Sequence, residues 1–307
     1  MKSIVLLGAT SFIGKAIISS YNYPLPIKAV ARKLEKGKNI KQVNISWYEV
    51  DLFKPNSLES VIEPGDIVIN LVYMHDGSEK DNKFLLENIL ESCNRKGISR
   101  MIYCSTAGVV GATKESKVNE TTPCVPVSNY EKTKYNLEQQ LLKNISKTLD
   151  IAILRPTCVV GPGGQSLLKL CLDLKSSSSL INYLRASLYG SRPMHLVSVN
   201  NVANALLHLV FFKKPLNNNI YIVSSDDDPK NNFKKVEECL MQAMGIKKRS
   251  IPLIPIPIII LSLILRLRGR SHFNMIRKYD SKKLRLTGFL ETSPPLNAVH
   301  AVGISMK

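Results

Sequence analysis

Ser3-Ile4-Val5-Leu6-Leu7-Gly8-Ala9-Thr10-Ser11-Phe12-Ile13-Gly14 is the stretch that decides the fold. Its apolar first half is too short for a helix and reads as a strand buried on both faces. A glycine-bounded loop follows, and a helical pattern starts at Phe12. That is the arrangement in which exposed backbone N–H groups and the positive end of a helix can receive a pyrophosphate. Gly8 permits the tight turn and Gly14 the close packing of helix on sheet. Ser11 stands where a third glycine would let phosphate approach most closely, and its hydroxyl can donate instead. The same residues also fit a glycine-bounded turn with no ligand.

Outward from this stretch, short Val/Ile/Leu-rich runs alternate with helical patterns as far as about residue 156. Strands are expected at Ser3 to Leu7, Ile27 to Ala31, Ser46 to Val50, Ile67 to Leu71, Met101 to Cys104 and Ile151 to Arg155. Helices are expected from Phe12, from Ser57, over Asp81 to Cys93 and over Asn129 to Leu142. This alternation predicts an α/β fold, a Rossmann-like doubly wound parallel sheet covered on both faces. After Gly161-Pro162-Gly163-Gly164 the alternation loosens. A smaller C-terminal substrate lobe is expected over 161–307, beside a dinucleotide-binding domain over 1–160, with some later elements returning to the sheet.

The composition narrows the partners. Of 307 residues 42 are Lys or Arg and 24 Asp or Glu, a net charge of +18. Twelve of these excess charges lie in two stretches, 28–41 (net +5) and 251–290 (net +7). The second stretch offers only Phe273 and Tyr279 for base stacking, so no nucleic-acid partner is expected; anionic small molecules or an anionic membrane surface need only the charge. The six cysteines show no CxxC and no histidine partner, so neither a metal site nor a disulfide framework is expected, and a reducing cytoplasm fits best. The longest apolar run, Ile251 to Leu265, holds 15 residues with three prolines, against about 20 for a bilayer span.

Candidate chemistry sits at the strand ends. Arg32 and Lys33 follow the second strand, where a carboxylate would accept the ribose hydroxyls of NAD; two cations favour the 2′-phosphate of NADP, or continue a solvated basic loop. Asp51 is placed either to accept from an adenine amino group or to start a turn before Pro55. Tyr130 and Lys134, four apart on one helix face, let an ammonium support a phenolate. For a phenol of pKa about 10 to act near neutrality it must fall by roughly 3 units, which a lysine and a nearby positive nicotinamide can together supply. Tyr279 and Lys283 repeat the interval, so spacing alone does not choose. Thr106 does, lying past the strand that ends at Cys104, in the crevice where open α/β sheets bind ligands; as a plain turn residue, with Lys134 on a solvated helix face, it would mean nothing. His75 and His195 lie near the same crevice or are structural. No HExxH, Gly-x-Ser-x-Gly or GxxxxGK[ST] is present.

Taken together, these segments resemble the extended short-chain dehydrogenase/reductases, the NAD-dependent epimerase/dehydratase family. Gly8 to Gly14, with Ser11, Phe12 and Ile13, looks like its glycine loop, and Asp51-Leu52 like its adenine-binding pair. Asn70 to Tyr73 resembles the strand end that lines the cofactor through Leu71 and Val72, and Asn82 matches an asparagine of the next helix. Ser105 to Gly111 resembles the serine/threonine segment, with the hydroxyl on Thr106. Pro126 to Lys134, followed by Glu138, looks like the catalytic helix start. Leu154-Arg155-Pro156 to Gly163 resembles the passage into the substrate lobe, Pro156 bordering the cofactor.

The resemblance implies NAD(P), with Arg32 and Lys33 tilting the balance slightly toward NADP. It implies that Tyr130 moves the proton, that Lys134 lowers its pKa and holds the nicotinamide ribose, and that Thr106 fixes the reacting oxygen. Sugar dehydratases of the family follow the threonine with Asp-Glu; Ala107-Gly108 stand here, which argues against water elimination. Cys158 replaces an asparagine common in nucleotide-diphosphate binders, Val110 a tyrosine and Asn201 an aspartate. The expectation is a cytoplasmic oxidoreductase, a 4-keto-sugar reductase or sugar 4-epimerase of surface-polysaccharide biosynthesis, acting on a nucleotide- or lipid-linked sugar. Oxidation or reduction of a sterol-like alcohol is the alternative, and a noncatalytic cofactor-binding assembly subunit the rival. The resemblance also implies pairing of two copies. Residues 251–285 suggest peripheral contact at the inner face of the membrane, or a helix buried in the second lobe.

Overall fold

In the computed structural model, residues 2–34, 44–143, 149–247, 252–254 and 276–307 are described. Strand β1 (Ile4–Leu7) is buried at all four positions, as a strand covered on both faces must be. It lies between β2 (Ile27–Ala31) and β4 (Ile67–Asn70), and β3 (Ile45–Glu49), β5 (Arg100–Cys104), β7 (Asp150–Pro156) and β10 (Asn219–Val223) complete a seven-stranded sheet of order β10-β7-β5-β4-β1-β2-β3. The registered pairs in it are parallel, with Leu7 opposite both Val30 and Asn70. Strand order reverses between β1 and β4, the switch point at which such sheets bind ligands.

Parallel neighbours need crossovers. Helices α1 (Phe12–Ser20), α2 (Glu79–Arg95) and α3 (Asn129–Lys143) supply three of them. The helix expected from Ser57 is only a 3-10 turn, Ser57–Ser60. Pro64-Gly65 leaves it no room to lengthen, and Leu58, Val61 and Ile62 are spent on packing into the core. That core lies among the strands and α2 and α3, with Leu86, Ile89, Leu90, Leu137 and Leu141 facing Val68, Met101 and Ile151.

Two compact units make up the chain: Met1–Val109 with Pro126–Arg155 and Ala203–Tyr221, and Val110–Val125 with Pro156–Val202 and Ile222–Lys307. The boundary expected at residue 160 is thus not a single cut. Residues 110–125 join the second unit, and α6 (Val199–Phe211) leads back to β10 at the sheet edge. In the second unit α4 (Leu168–Ser176), α7 (Phe233–Met244) and α9 (Pro295–Ser305) surround their own core of Cys171, Leu174, Leu196, Val236, Leu240 and Val299, and α5 (Ser179–Tyr189) packs against α7. Two strand pairs, β8 (Cys158–Val160) with β9 (Leu196–Ser198) and β6 (Lys117–Val118) with β11 (Lys278–Tyr279), and the short helix α8 (Lys282–Arg285) complete it. Of residues 251–285, where peripheral membrane contact or a buried helix is expected, 251 and 255–275 lie outside the described residues. No helix among the described residues is long and apolar enough to cross a membrane.

Candidate active site

The loop between β1 and α1 is shaped by its glycines. Gly8 adopts φ +80°, the left-handed region, with its α-carbon facing Leu71 and Val72 at the end of β4. A β-carbon on Gly14 would stand 2.5 Å from the Gly8 carbonyl oxygen and 2.6 Å from that of Ala9, both backbone atoms. Gly14→Ala therefore forces helix and loop apart. The expected cost is about 1–3 kcal/mol of stability, read in denaturant melts, together with loss of dinucleotide binding. Unchanged stability and affinity would show the contact to be soft.

Ser11 caps α1, its Oγ accepting from Gly14 N at 3.1 Å. The cap uses a lone pair and leaves the hydroxyl proton for an outside acceptor such as phosphate. Phe12 and Ile13, the first two residues of the helix, have N–H groups without an intrahelical partner by helix geometry. These donors and the helix dipole form a cradle that fits a pyrophosphate.

Around the cradle, Arg32 and Lys33 are exposed just past β2. Asp51 makes the turn that was its alternative reading: Oδ1 accepts from Phe53 N at 3.1 Å and its carbonyl from Lys54 N. Leu52 and Val72 pack half-buried on the core, and Leu71 is half-buried too. Asn82, buried in α2, has its amide committed to the preceding loop. Its Oδ1 accepts from Met74 N at 2.9 Å and its Nδ2 donates to the carbonyls of Met74 and Ser78. It thus shapes the β4–α2 connection. Pro156 closes β7 and is buried.

The proton-handling residues converge within the first unit. Ser128-Asn129-Tyr130-Glu131 forms a capping box: Ser128 Oγ accepts from Glu131 N at 3.3 Å, and Glu131 Oε2 accepts from Ser128 N at 2.9 Å and Val127 N at 2.8 Å. This fixes Tyr130 in the first turn of α3, where the Thr106 side chain influences its phenol. Thr106 Oγ1 also accepts from Gly108 N at 3.1 Å, which holds its rotamer. One turn on, Lys134 is buried and its ammonium donates to the Cys104 carbonyl at 3.0 Å and to Tyr103 Oη at 3.4 Å.

Tyr73 joins the two. The Lys134 ammonium lies 4.7 Å from its ring centre, and its ring meets that of Tyr130 edge-on at 5.2 Å. His75 lies nearly parallel to the Tyr130 ring at 6.1 Å and meets Tyr73 edge-on at 4.9 Å. Tyr73 is expected only as the end of the cofactor-lining segment Asn70 to Tyr73, with no part beside Lys134, and Tyr103 only as a strand residue. The signal available was their place at the ends of β4 and β5, the carboxyl edge of the sheet.

Desolvation pushes Tyr130 up to about 12, with Cys104 adding to it and the Thr106 hydrogen bond opposing it. Desolvation also brings Lys134 down to about 8, against the raising influence of Cys104 and Glu138. The chain's own residues therefore hold Tyr130 as a neutral phenol, a proton donor. Glu138, one further turn along α3, forms a buried bidentate pair with Arg155 of β7, at 3.0 and 2.6 Å.

The second Tyr-x-x-x-Lys interval has a different geometry. Tyr279 lies in β11 and Lys283 in α8, so no single helix face carries both. In this second unit His195 Nδ1 is 2.7 Å from Asp226 Oδ2, and the His195 ring meets Tyr279 edge-on at 5.2 Å.

A model of the NAD dependent epimerase/dehydratase family matches residues 4–220, more than two thirds of the chain. The chain belongs to that family. Its members depend on nicotinamide dinucleotides, and the cradle of Gly8 to Gly14 fits that group.

Among relatives, the chain is similar to the sterol-4-alpha-carboxylate 3-dehydrogenase, decarboxylating, of Saccharomyces cerevisiae, 25% identical over 185 residues that cover 54% of this chain and 53% of that protein. It is also similar to short-chain dehydrogenase/reductase family 42E member 1 of Bos taurus, 26% identical over 239 residues, covering 68% and 57%. The matches span little more than half the length of these curated relatives. Among solved structures, the UDP-glucuronic acid 4-epimerase of Bacillus cereus in complex with NAD superposes with TM-score 0.74 at 17% identity, covering 100% of this chain and 96% of that one. At that identity the likeness shows the shared fold.

Proposed function

We propose that this family member is an NAD(P)-dependent oxidoreductase that interconverts a secondary alcohol and its ketone on a sugar ring carbon, in the reducing direction, as a 4-keto-sugar reductase of surface-polysaccharide assembly. The observation that carries the reading is the convergence of Thr106, Tyr130 and Lys134 at the carboxyl edge of the sheet. Bound at the Gly8 to Gly14 cradle, NAD(P) supplies the hydride. Tyr130, a neutral phenol, donates its proton to the carbonyl oxygen as the hydride arrives, and Thr106 holds that oxygen by a hydrogen bond. Lys134 places a positive charge behind the phenol, stabilising the phenolate left after transfer. An epimerase would run the same step in both directions on a retained dinucleotide, with Tyr130 alternately base and acid.

Arg32 and Lys33 support the phosphorylated dinucleotide. Replacing both by glutamate removes two charge-assisted contacts to a 2′-phosphate and is expected to weaken NADPH relative to NADH by roughly 10–100-fold, measured as the ratio of KM values. An unchanged ratio would free these residues from the cofactor.

A second reading, reduction or oxidation of a sterol-like alcohol, is supported by the sterol dehydrogenase among the relatives. Purified protein incubated with NADH or NADPH and a panel of 4-keto nucleotide sugars and 3-keto sterols separates the two. Consumption of reduced nicotinamide with the sugars supports the first reading, and consumption with the sterols only supports the second. Inertness toward both, with no dinucleotide bound, would leave a noncatalytic fold.

A further inference from the structure

We propose that the outer face of α4 and α5 docks on an anionic lipid bilayer. Leu168 and Leu172 on α4, and Leu180, Ile181 and Leu184 on α5, are 40 to 66% exposed. The spacings i, i+4 on α4 and i, i+1, i+4 on α5 gather each set on one side of its helix. The two helices are tied by Arg185 of α5, whose guanidinium lies 3.3 Å from the Asp173 carboxylate of α4. Tyr183 donates to the Pro252 carbonyl at 3.1 Å, which brings Ile254, 70% exposed, beside α5.

Charge selects the occupant. Residues 161–192 hold Lys169, Lys175, Arg185 and Arg192 against Asp173 alone, and that one acid is engaged by Arg185. The exposed members of the face are leucines, an isoleucine, serines and the two lysines, with no exposed carboxylate. A self-pairing surface would bring Lys169 and Lys175 against their own copies. A bilayer of acidic headgroups takes the leucines into its acyl boundary and meets Lys169 with phosphate and carboxylate, as interfacial amphipathic helices do, while Lys175 donates to the Met306 carbonyl. This recruitment needs no property of the redox site, so it can fail or hold independently of the proposed reaction.

The test is sedimentation of the full chain with vesicles of phosphatidylcholine containing phosphatidylserine, and with phosphatidylcholine alone. Wild-type protein is expected to pellet with the mixed vesicles, far less with the neutral ones, and to be released by high salt. Leu180→Ser/Leu184→Ser lowers the bound fraction about tenfold, while dinucleotide binding stays as it was. Should that variant misfold, hydrogen exchange of wild-type protein gives the same answer, with amides 179–189 slowed by mixed vesicles. The proposal is overturned if wild type stays in the supernatant or if the folded double variant pellets like wild type. It is equally overturned if the protein is a dimer without lipid affinity that the double variant splits into monomers.

Discussion

Lys134→Met is expected to remove turnover and yet make the protein harder to unfold at pH 7. The ammonium is buried and its folded pKa is brought down from 10.5 to about 8. Between those values the unfolded chain binds more protons than the folded one, so stability rises with pH through this window. Below about pH 8 the buried charge costs about 3 kcal/mol by the size of the shift. Its hydrogen bonds to Cys104 O and Tyr103 Oη go with it, so the net gain for methionine is about 1–3 kcal/mol at pH 7, vanishing as the pH nears 10.5. The rate falls by about 10²–10⁴, because the phenolate formed on proton transfer then has no cation behind it. Chemical denaturation of both proteins at pH 7 and pH 10, beside their turnover, checks it. A methionine variant less stable than wild type at pH 7 would mean that the ammonium holds the fold as well as the chemistry.

Breaking the pair behind Lys134 should have the opposite effect on stability. Glu138 and Arg155 are both buried, and Glu138 receives two hydrogen bonds from the guanidinium. Glu138→Leu leaves Arg155 charged without its carboxylate, one turn from a second buried cation. The expected loss is about 3–5 kcal/mol, a fall in Tm of roughly 10 °C. Glu138→Leu/Arg155→Met, which removes both charges, should recover most of it. If the single variant melts like wild type, water or another acid must be reaching Arg155.

What the sequence disclosed follows the length scale of the signal. β1, the Gly8 to Gly14 loop and α1 were legible because a short apolar run, a glycine turn and a helical period lie end to end, and each depends on neighbours within a few residues. Tyr130 and Lys134 were legible as one helix face. The capping box that fixes Tyr130 was there to read as Ser128-x-x-Glu131. The surroundings of Lys134 were not legible, because Tyr73, Tyr103 and Cys104 come from two other strands and meet it only once β4 and β5 pair. Nor was the desolvation of Tyr130 legible: it raises the phenol in the chain by itself, whereas the lowered phenol expected rests on Lys134 together with the positive nicotinamide. The return of α6 and β10 to the sheet edge escaped detail for the same reason, since no local period says which strand a later one will join. The helix expected from Ser57 failed on a local matter, Pro64 arriving before a second turn could form.

Tyr130 hands its proton to the carbonyl oxygen in the reaction for which NAD(P), when bound, would supply the hydride. Single-turnover hydride transfer by Tyr130→Phe, measured beside dinucleotide affinity with the carbonyl compound that wild type reduces, tests it most directly. A rate lower by at least about 10² with dinucleotide affinity unchanged is the expected result. Transfer at the wild-type rate would contradict the account.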